Sequence, residues 1–181
     1  MEIIRNSDYI ILNAIQQSMR SEFLDSFTLT LSYVTTSGAI WVAVGIAMLF
    51  SRKHRASGII MLASLTAVFL TGDVLLKHIV NRPRPFIVNT DIALLIKSPL
   101  GSSFPSTHSA IAAAATTVLI AKNKVIGFIA SVMTACIAFS RLYLYVHYPT
   151  DVFAGLMLGA FCASMILMLA KRIGLERKIL H

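Results

Sequence analysis

The residues best suited to catalysis lie around His147, in the stretch SRLYLYVHYPTD that runs from Ser140 to Asp151. If the backbone there is helical, a carboxylate four residues after a histidine can reach the imidazole ring. Such a carboxylate fixes the tautomer of the ring and leaves its other nitrogen unprotonated, as a nucleophile requires. Arg141 adds a cation to the same stretch. The alternative is a structural histidine–aspartate pair beside a surface arginine.

A second stretch, KHIVNRPRP, begins at Lys77 and places Arg84 seven residues later, with prolines that interrupt helical structure between and after them. Asp73 precedes Lys77 by one helical turn, and we expect it to hold the lysine in place rather than to react. The alternative is that these cations are ordinary helix-end residues that extend towards the membrane surface.

A third stretch, PSTH, consists of Pro105, Ser106, Thr107 and His108 and opens an apolar segment. Serine and threonine are both good helix N-caps, and the free N–H groups at a helix start attract anions. A hydroxyl, backbone amides and an imidazole are therefore gathered where a phosphate would be stabilised. The alternative is a capped helix with an incidental histidine.

Together the three stretches supply three cations, a hydroxyl, a backbone anion site and two histidines. That set fits phosphoryl transfer, in which cations neutralise the phosphate, one histidine attacks and the other protonates the leaving oxygen. We expect no metal, since the lysine and arginine side chains would repel a metal cation, and we expect no cofactor.

The composition indicates a membrane protein. Of the 181 residues, 56% are hydrophobic and 13% are charged, and the mean hydropathy is +0.76. The net charge of +8 could suggest nucleic-acid binding. The basic residues cluster at the ends of hydrophobic segments instead of along one polar face, so we expect a membrane partner and no nucleic acid.

The hydrophobic segments predict an all-α integral membrane bundle, a single domain over residues 1–181 with an N-terminal interfacial helix within 7–20. The five predicted transmembrane helices are Phe23–Phe50, Ser57–Val80, Thr107–Ala121, Val125–Tyr145 and Val152–Ala170. The first is long enough to bend near residues 35–38. The third would measure about 22 Å at 1.5 Å per residue, so it would begin below the membrane surface and recess the PSTH stretch.

The lysines and arginines of the short loops predict the orientation, because cytoplasmic loops carry an excess of them. One face would hold Arg52, Lys53, Arg55, Lys122, Lys124, Lys171, Arg172, Arg177 and Lys178. The other would hold Arg5, Arg20, Lys77, Arg82, Arg84, Lys97 and Arg141, most of which belong to the candidate site. We therefore expect a protein of the cell membrane with its site on the extracytoplasmic side.

The three stretches resemble the signature motifs of the type 2 phosphatidic acid phosphatase (PAP2) superfamily, K-x6-RP, PSGH and SR-x5-H-x3-D, with every spacing matched. The resemblance implies that His147 is a nucleophile that forms a phosphohistidine, that Asp151 activates it, and that His108 is the general acid. The phosphate ligands it implies are Lys77, Arg84, Ser106 and Arg141, with the backbone N–H of Thr107.

Two details of the motifs leave alternatives open. Thr107 replaces the usual glycine of the second motif. Its β-branched side chain narrows the path by which the substrate approaches the site, while its backbone amide remains available. Arg82 is a second Arg-Pro arginine in the first motif. The spacing from Lys77 favours Arg84 as the phosphate ligand, and Arg82 is an auxiliary contact in this interpretation.

The resemblance also implies a membrane lipid phosphatase, with undecaprenyl diphosphate as the favoured substrate. Phosphatidylglycerophosphate, phosphatidic acid and lipid A are alternative substrates, and a non-catalytic lipid-phosphate binding protein is a remote alternative. The superfamily includes vanadate-dependent haloperoxidases, which are soluble, so the hydrophobic spans oppose that activity. The lipid tail and the oligomeric state stay open. The GxxxG pattern of Gly155 and Gly159 fits either a dimer or packing inside the bundle.

Overall fold

The computed structural model describes the backbone of residues 2–175 and the side chains of 6–36 and 38–175. Arg177, Lys178 and the Arg5 side chain, which entered the orientation argument, lie outside that range. The described secondary structure is helical throughout. Its α-helices are α1 (Glu2–Ser18), α2 (Glu22–Val34), α3 (Ala39–Leu49), α4 (Arg55–Val68), α5 (Lys77–Val80), α6 (Pro85–Val88), α7 (Thr107–Lys122), α8 (Lys124–Tyr143) and α9 (Pro149–Arg172).

The predicted first span is a bent pair of helices. A single 3₁₀ turn, Thr36–Gly38, separates α2 from α3, and the two helix axes differ by 47°. Gly38 adopts a left-handed φ of 73°, and a Cβ added there would lie 2.7 Å from a methyl group of Ile111. Glycine satisfies both conditions, so the predicted bend near residues 35–38 is confirmed.

The second predicted span is a continuous helical stretch of three parts. A π-helical segment, Phe69–Leu76, joins α4 to α5, and a left-handed Asn81 ends the stretch. π-Helical turns are rare and often mark functional positions. This one contains Asp73 and leads directly to Lys77.

The predicted third span forms α7, a helix of only 16 residues. Its alanine-rich sequence lies buried at the centre of the bundle, between α8 and α9. Three stretches of the described chain are long and apolar enough to cross a membrane, Arg55–Val88, Lys124–Tyr143 and Pro149–Arg172, or four if α2 and α3 form one span. The count of five spans therefore stays a prediction.

The glycines of the GxxxG pattern pack α9 against α7. A Cβ at Gly159 would lie 2.0 Å from the Ala110 carbonyl oxygen, and one at Gly155 would lie 2.4 Å from the Ser106 carbonyl oxygen. Both positions face the backbone of a helix in the same chain. The structure therefore accounts for this pattern by packing inside the bundle.

The N-terminal helix α1 lies against the end of the bundle that carries the three motif stretches. Leu12 and Ile15 are buried on one face, whereas Ile10 and Ile11 are exposed on the other. The Gln16 side chain donates a hydrogen bond of 2.8 Å to the backbone of α8. Apolar side chains left exposed on the face away from the bundle are what an interfacial helix requires.

Candidate active site

The three motif stretches converge on one cavity of about 1090 Å³. The first motif begins where the π-helical segment ends, the second lies at the start of α7, and the third connects α8 to α9. Side chains predicted for the site line one end of this cavity: Lys77, Arg84, Thr107, His108, Arg141 and His147. The two remaining predicted residues, Ser106 and Asp151, are fully buried.

His147 lies in the short loop between α8 and α9 and is only 3% exposed. Its Nδ1 lies 2.7 Å from the backbone carbonyl oxygen of Ser103. A carbonyl only accepts hydrogen bonds, so Nδ1 carries the proton and Nε2 keeps its lone pair. Nε2 lies 3.3 Å from Nη1 of Arg84, which donates to it. The residue thus presents an unprotonated nitrogen beside the Arg84 guanidinium.

Burial is the main reason that the imidazole of His147 is neutral. Together with the nearby Arg84 guanidinium, it lowers the pKa of His147 to about 4. The Asp151 carboxylate and the Ser103 carbonyl favour the charged form, but they do not outweigh burial. The side chain is therefore available as a nucleophile at neutral pH.

Asp151 does not make the direct hydrogen bond to His147 that the four-residue spacing suggested. Its Oδ2 lies 3.8 Å from Nδ1 of the imidazole, longer than a hydrogen bond. The reason is that α9 begins at Pro149, so His147 precedes the helix and the spacing is not helical. Asp151 instead accepts hydrogen bonds from the Ser103 hydroxyl and from the Tyr148 N–H at 2.9 Å.

Ser103 is a site residue that the sequence did not reveal. Its backbone carbonyl orients the ring of His147, and its hydroxyl binds Asp151. The residue is fully buried and its N–H donates to the Arg82 carbonyl oxygen at 2.8 Å. A role exercised through the backbone leaves no signature of residue type, so only the packed loop identifies it.

The sequence suggested Arg82 as an auxiliary phosphate contact, but in the structure its guanidinium binds two carboxylates. Its Nη1 lies 2.6 Å from Asp151 and its Nη2 lies 2.7 Å from Asp8. Its guanidinium also stacks over the Tyr148 ring at 3.8 Å. Both carboxylates contact the guanidinium, so Arg82 supports the loop between α8 and α9 that carries the candidate nucleophile His147, here called the nucleophile loop.

Two buried guanidinium groups dominate the polar end of the cavity. Arg84 is held by backbone carbonyl oxygens of Gly101 and Val146, each at 3.0 Å. Arg141 is 3% exposed and donates to the Ser140 hydroxyl at 3.0 and 3.1 Å. Among the described residues neither arginine is paired with a carboxylate. Buried charge without a counter-ion is costly, so the cavity is suited to an anion.

Lys77 forms the expected ion pair with Asp73 across one turn of the helical stretch. The Asp73 carboxylate also accepts a hydrogen bond of 2.9 Å from the Thr107 hydroxyl. The residue that replaces the usual glycine of the second motif therefore has a partner. It ties the start of α7 to the aspartate that holds the lysine.

Ser106 and His108 occupy the start of α7. The Ser106 hydroxyl is 3.0 Å from the Ser109 hydroxyl and makes no capping bond, although Ser106 sits at the N-cap position. Its N–H donates to the Asp151 carbonyl oxygen at 3.0 Å, which joins α7 to α9. His108 lines the cavity with His147. The two imidazoles predicted to attack and to transfer a proton therefore line the same cavity.

The described side chains contain no group of three or more His, Cys, Asp or Glu placed to hold a metal ion. The cavity is instead lined by the cationic side chains of Lys77, Arg84 and Arg141, which is the chemistry of an anion site. The expectation of a reaction without metal or cofactor stays a prediction.

Comparison with known proteins identifies the family. A model of the PAP2 superfamily matches residues 56–174, so the chain belongs to that superfamily. The match contains every residue predicted for the site and leaves α1, α2 and α3 outside it. The helical spans and the solved relatives below agree on a multi-pass membrane protein.

Two related sequences are named as undecaprenyl-diphosphatases. One, from Sulfolobus acidocaldarius, is 29% identical over 127 residues, which cover 70% of this chain and 61% of the relative. The other, the undecaprenyl-diphosphatase BcrC of Bacillus subtilis, is 31% identical over 110 residues, 60% of this chain and 54% of the relative. The chain thus matches between half and two thirds of the length of these relatives.

Two solved structures share the fold. The crystal structure of Aquifex aeolicus LpxE has a TM-score of 0.78 and 29% identity, covering 88% of this chain and 94% of its own. The PAP2-type phosphatidylglycerolphosphate phosphatase of Bacillus subtilis has a TM-score of 0.79 and 27% identity, covering 96% and 89%. The similarity therefore extends over almost the whole bundle.

Proposed function

We propose that this protein is a membrane lipid phosphatase that removes the terminal phosphate of a lipid diphosphate through a phosphohistidine on His147. The observation that carries the proposal is the buried, neutral His147, whose unprotonated Nε2 lies 3.3 Å from the Arg84 guanidinium inside a cationic cavity. A nucleophile, a phosphate-binding cation and a second histidine in one cavity are the groups that this reaction needs.

In the proposed reaction the terminal phosphate binds to Lys77, Arg84 and Arg141, whose charges neutralise it. Nε2 of His147 attacks phosphorus, and the bond between phosphorus and the leaving oxygen breaks. His108 donates its proton to that oxygen, which departs on the lipid. Water then attacks the phosphohistidine while His108 takes up a proton, and inorganic phosphate and the neutral imidazole are released.

Asp151 supports this reaction through its charge. When Nε2 bonds to phosphorus, the imidazole ring becomes cationic, and a carboxylate 3.8 Å from Nδ1 stabilises that cation. Ser103 keeps Nδ1 as the donor throughout. The attacking nitrogen is then fixed without a direct hydrogen bond between Asp151 and His147.

We propose undecaprenyl diphosphate as the preferred substrate. The cavity continues from the cations to an apolar wall formed by Leu29, Tyr33 and Phe69, which suits a lipid tail. Relatives named as undecaprenyl-diphosphatases support the choice. Phosphatidylglycerophosphate is the second candidate, because a solved relative named for that substrate superposes over 96% of this chain.

We also propose that the site faces the extracytoplasmic side of the cell membrane. Lys122 reaches the backbone carbonyl oxygen of Lys53 at 3.3 Å, so two basic loops meet at the end of the bundle away from the site. Loops of this composition favour the cytoplasm. Single cysteines at Ser51 and Asp91, labelled with an impermeant maleimide in intact cells, test the orientation, since only position 91 should react.

Trapping the intermediate tests the central claim. The purified protein in detergent is mixed with undecaprenyl diphosphate carrying ³²P in its terminal phosphate and then denatured. We expect an alkali-stable, acid-labile label on the wild type and none on His147→Asn. His54→Asn, in a loop outside the cavity, is the matched histidine control and should label normally. Turnover without labelling of His147 would overturn the mechanism.

Substrate preference and metal dependence are measured with the same preparation. Rates of phosphate release are compared for undecaprenyl diphosphate, phosphatidylglycerophosphate and phosphatidic acid, each with and without EDTA. A higher kcat/KM for phosphatidylglycerophosphate would replace the proposed substrate. Loss of activity in EDTA that magnesium restores would contradict a reaction without metal.

A further inference from the structure

Asp8 is a buried carboxylate that the catalytic motifs do not include. It lies on α1, outside the part of the chain that matches the superfamily, and it is only 1% exposed. Acidic side chains are almost never fully buried unless they are paired. Its contacts therefore indicate what it does.

All the described contacts of Asp8 lead to the nucleophile loop and its support. Its Oδ1 accepts from the Thr150 N–H at 3.0 Å, and its Oδ2 accepts from the Thr150 hydroxyl at 2.7 Å. Thr150 is the second residue of α9, so Asp8 satisfies a free N–H at the start of that helix. Oδ2 also binds Nη2 of Arg82 at 2.7 Å.

Arg82 connects Asp8 to the site. Its Nη2 binds Asp8, while its Nη1 binds Asp151 at 2.6 Å. One guanidinium is therefore shared between two carboxylates that are 1% and 0% exposed. Asp151 in turn lies 3.8 Å from Nδ1 of His147, so the chain of contacts reaches the nucleophile in three steps.

A second contact of α1 holds the same loop. The Tyr9 hydroxyl lies 3.0 Å from the Tyr148 hydroxyl, and the two rings meet edge to face at 5.5 Å. Tyr148 also carries Arg82 over its ring face. Helix α1 therefore contacts both Tyr148, the residue after His147, and Arg82.

We propose that Asp8 is a positioning residue for the phosphatase reaction. It binds Arg82 and takes up part of its positive charge, so that less of this charge offsets the interaction of Asp151 with His147. The inference rests on the proposed function. It makes the N-terminal helix part of the catalytic apparatus, although none of the described side chains of α1 lines the cavity.

The proposed effect of Asp8 on His147 is electrostatic. With Asp8 present, the positive charge of Arg82 is divided between two carboxylates. If Asp8 becomes neutral, that charge acts on Asp151 alone, which weakens the stabilisation of the cationic phosphoimidazole and makes His147 less basic. The other charged or titratable groups around His147 stay in place: Lys77, Arg84, His108, Arg141 and Asp73.

Asp8→Asn is the primary test, since it removes the charge and keeps one acceptor for the Thr150 N–H, while an NH₂ replaces the oxygen that accepts from Arg82. We expect kcat for the lipid diphosphate to fall about 10- to 100-fold, the size of effect that misplaced catalytic geometry produces. KM should change less than about threefold, because Asp8 does not line the cavity. The acid limb of the kcat/KM profile should move to lower pH, and Asp8→Glu should restore part of kcat.

Asp25→Asn is the matched control. Asp25 also anchors an N-terminal helix, through the Tyr143 hydroxyl at 2.5 Å and Arg20 at 3.5 Å, but it does not contact Arg82. We expect it to lower the melting temperature without moving the pH profile. An equal loss of kcat and an equal pH shift in both variants would overturn the positioning role.

A double-mutant cycle with Arg82→Gln decides whether Asp8 acts through the arginine. We expect Asp8→Asn to cost nothing further in kcat when Arg82 is already glutamine, since residues in one network are not additive. Additive losses would overturn the proposal. If Asp8→Asn alone is too unstable to purify, comparing Arg82→Gln with the double variant gives the same answer.

The assay separates this inference from the proposed function. A wild-type protein that releases no phosphate from any lipid phosphate and carries no label on His147 contradicts the proposed function itself. An active, labelled wild type whose Asp8→Asn variant has an unchanged kcat and pH profile contradicts only the role of Asp8.

Discussion

Replacement of Asp151 by asparagine distinguishes the contribution of the Asp151 charge to His147 from that of the Ser103 carbonyl. In the structure Oδ1 accepts from Arg82, and Oδ2 accepts from the Tyr148 N–H and the Ser103 hydroxyl. An amide keeps one oxygen and turns the other into a donor. If the oxygen stays towards Arg82, the new NH₂ faces the Tyr148 N–H, which loses its acceptor. The opposite orientation sets the NH₂ against the guanidinium, which is worse.

The effects on stability and rate follow from these contacts. Breaking a buried ion pair costs about 3–5 kcal/mol, and we expect about 3 because Asp8 still binds Arg82. For the rate, a carboxylate 3.8 Å from Nδ1 stabilises an imidazolium by about 4 kcal/mol at an effective dielectric constant of 20. Since Arg82 offsets part of that charge, we expect kcat to fall by about 10² to 10³.

The size of the kcat loss tests which group sets the tautomer. If Asp151 set it, asparagine would cost about 10⁴-fold, as the loss of an orienting carboxylate does in serine proteases. The Ser103 carbonyl sets it in this structure, so the loss should stay below that and well below that of His147→Asn. The assay is single-turnover phosphate release with melting measured in the same detergent. A loss of 10⁴ or more, or none, would refute the reasoning, and Ser103→Ala, which keeps the carbonyl, is the control.

Three further predictions concern protonation, the phosphate cradle and helix packing. Because burial lowers the pKa of His147 to about 4, its ¹⁵N signals should remain those of a neutral ring as the pH falls from 7 to 5, and a midpoint near 6.5 would contradict this. Thr107→Val removes the donor that helps to position Lys77 and should raise KM about 3- to 10-fold, whereas Thr107→Ser should not. Gly159→Ala should lower the melting temperature by several degrees because its Cβ would overlap the α7 backbone, while Gly72→Ala, with its nearest neighbour at 3.4 Å, should be tolerated.

Much of the polar end of the cavity could be predicted from the sequence. Cations, hydroxyls and histidines at fixed spacings specify a phosphate site because each contributes through its side chain. The ion pair of Asp73 and Lys77 was predictable for a similar reason, since both lie on one continuous helical stretch. The bend after α2 followed from a glycine inside an overlong apolar run.

What the sequence did not predict depends on the three-dimensional packing of loops. The spacing of His147 and Asp151 suggested a direct bond, but the helix starts between them. Ser103 acts through its carbonyl, which any residue possesses. Asp8 is separated from Thr150 by 142 positions, and no local pattern connects an N-terminal helix to a loop that far along the chain.

Helix α7 forms one wall of the cavity, with Thr107 and His108. Glycines let α7 and α9 touch backbone to backbone, which holds the ends that carry His108 and Asp151 in a fixed frame. The opposite wall belongs to α2, beyond the family match and hinged at Gly38. Substitutions in α2 can therefore reshape the space for a lipid tail while the reacting groups keep their geometry.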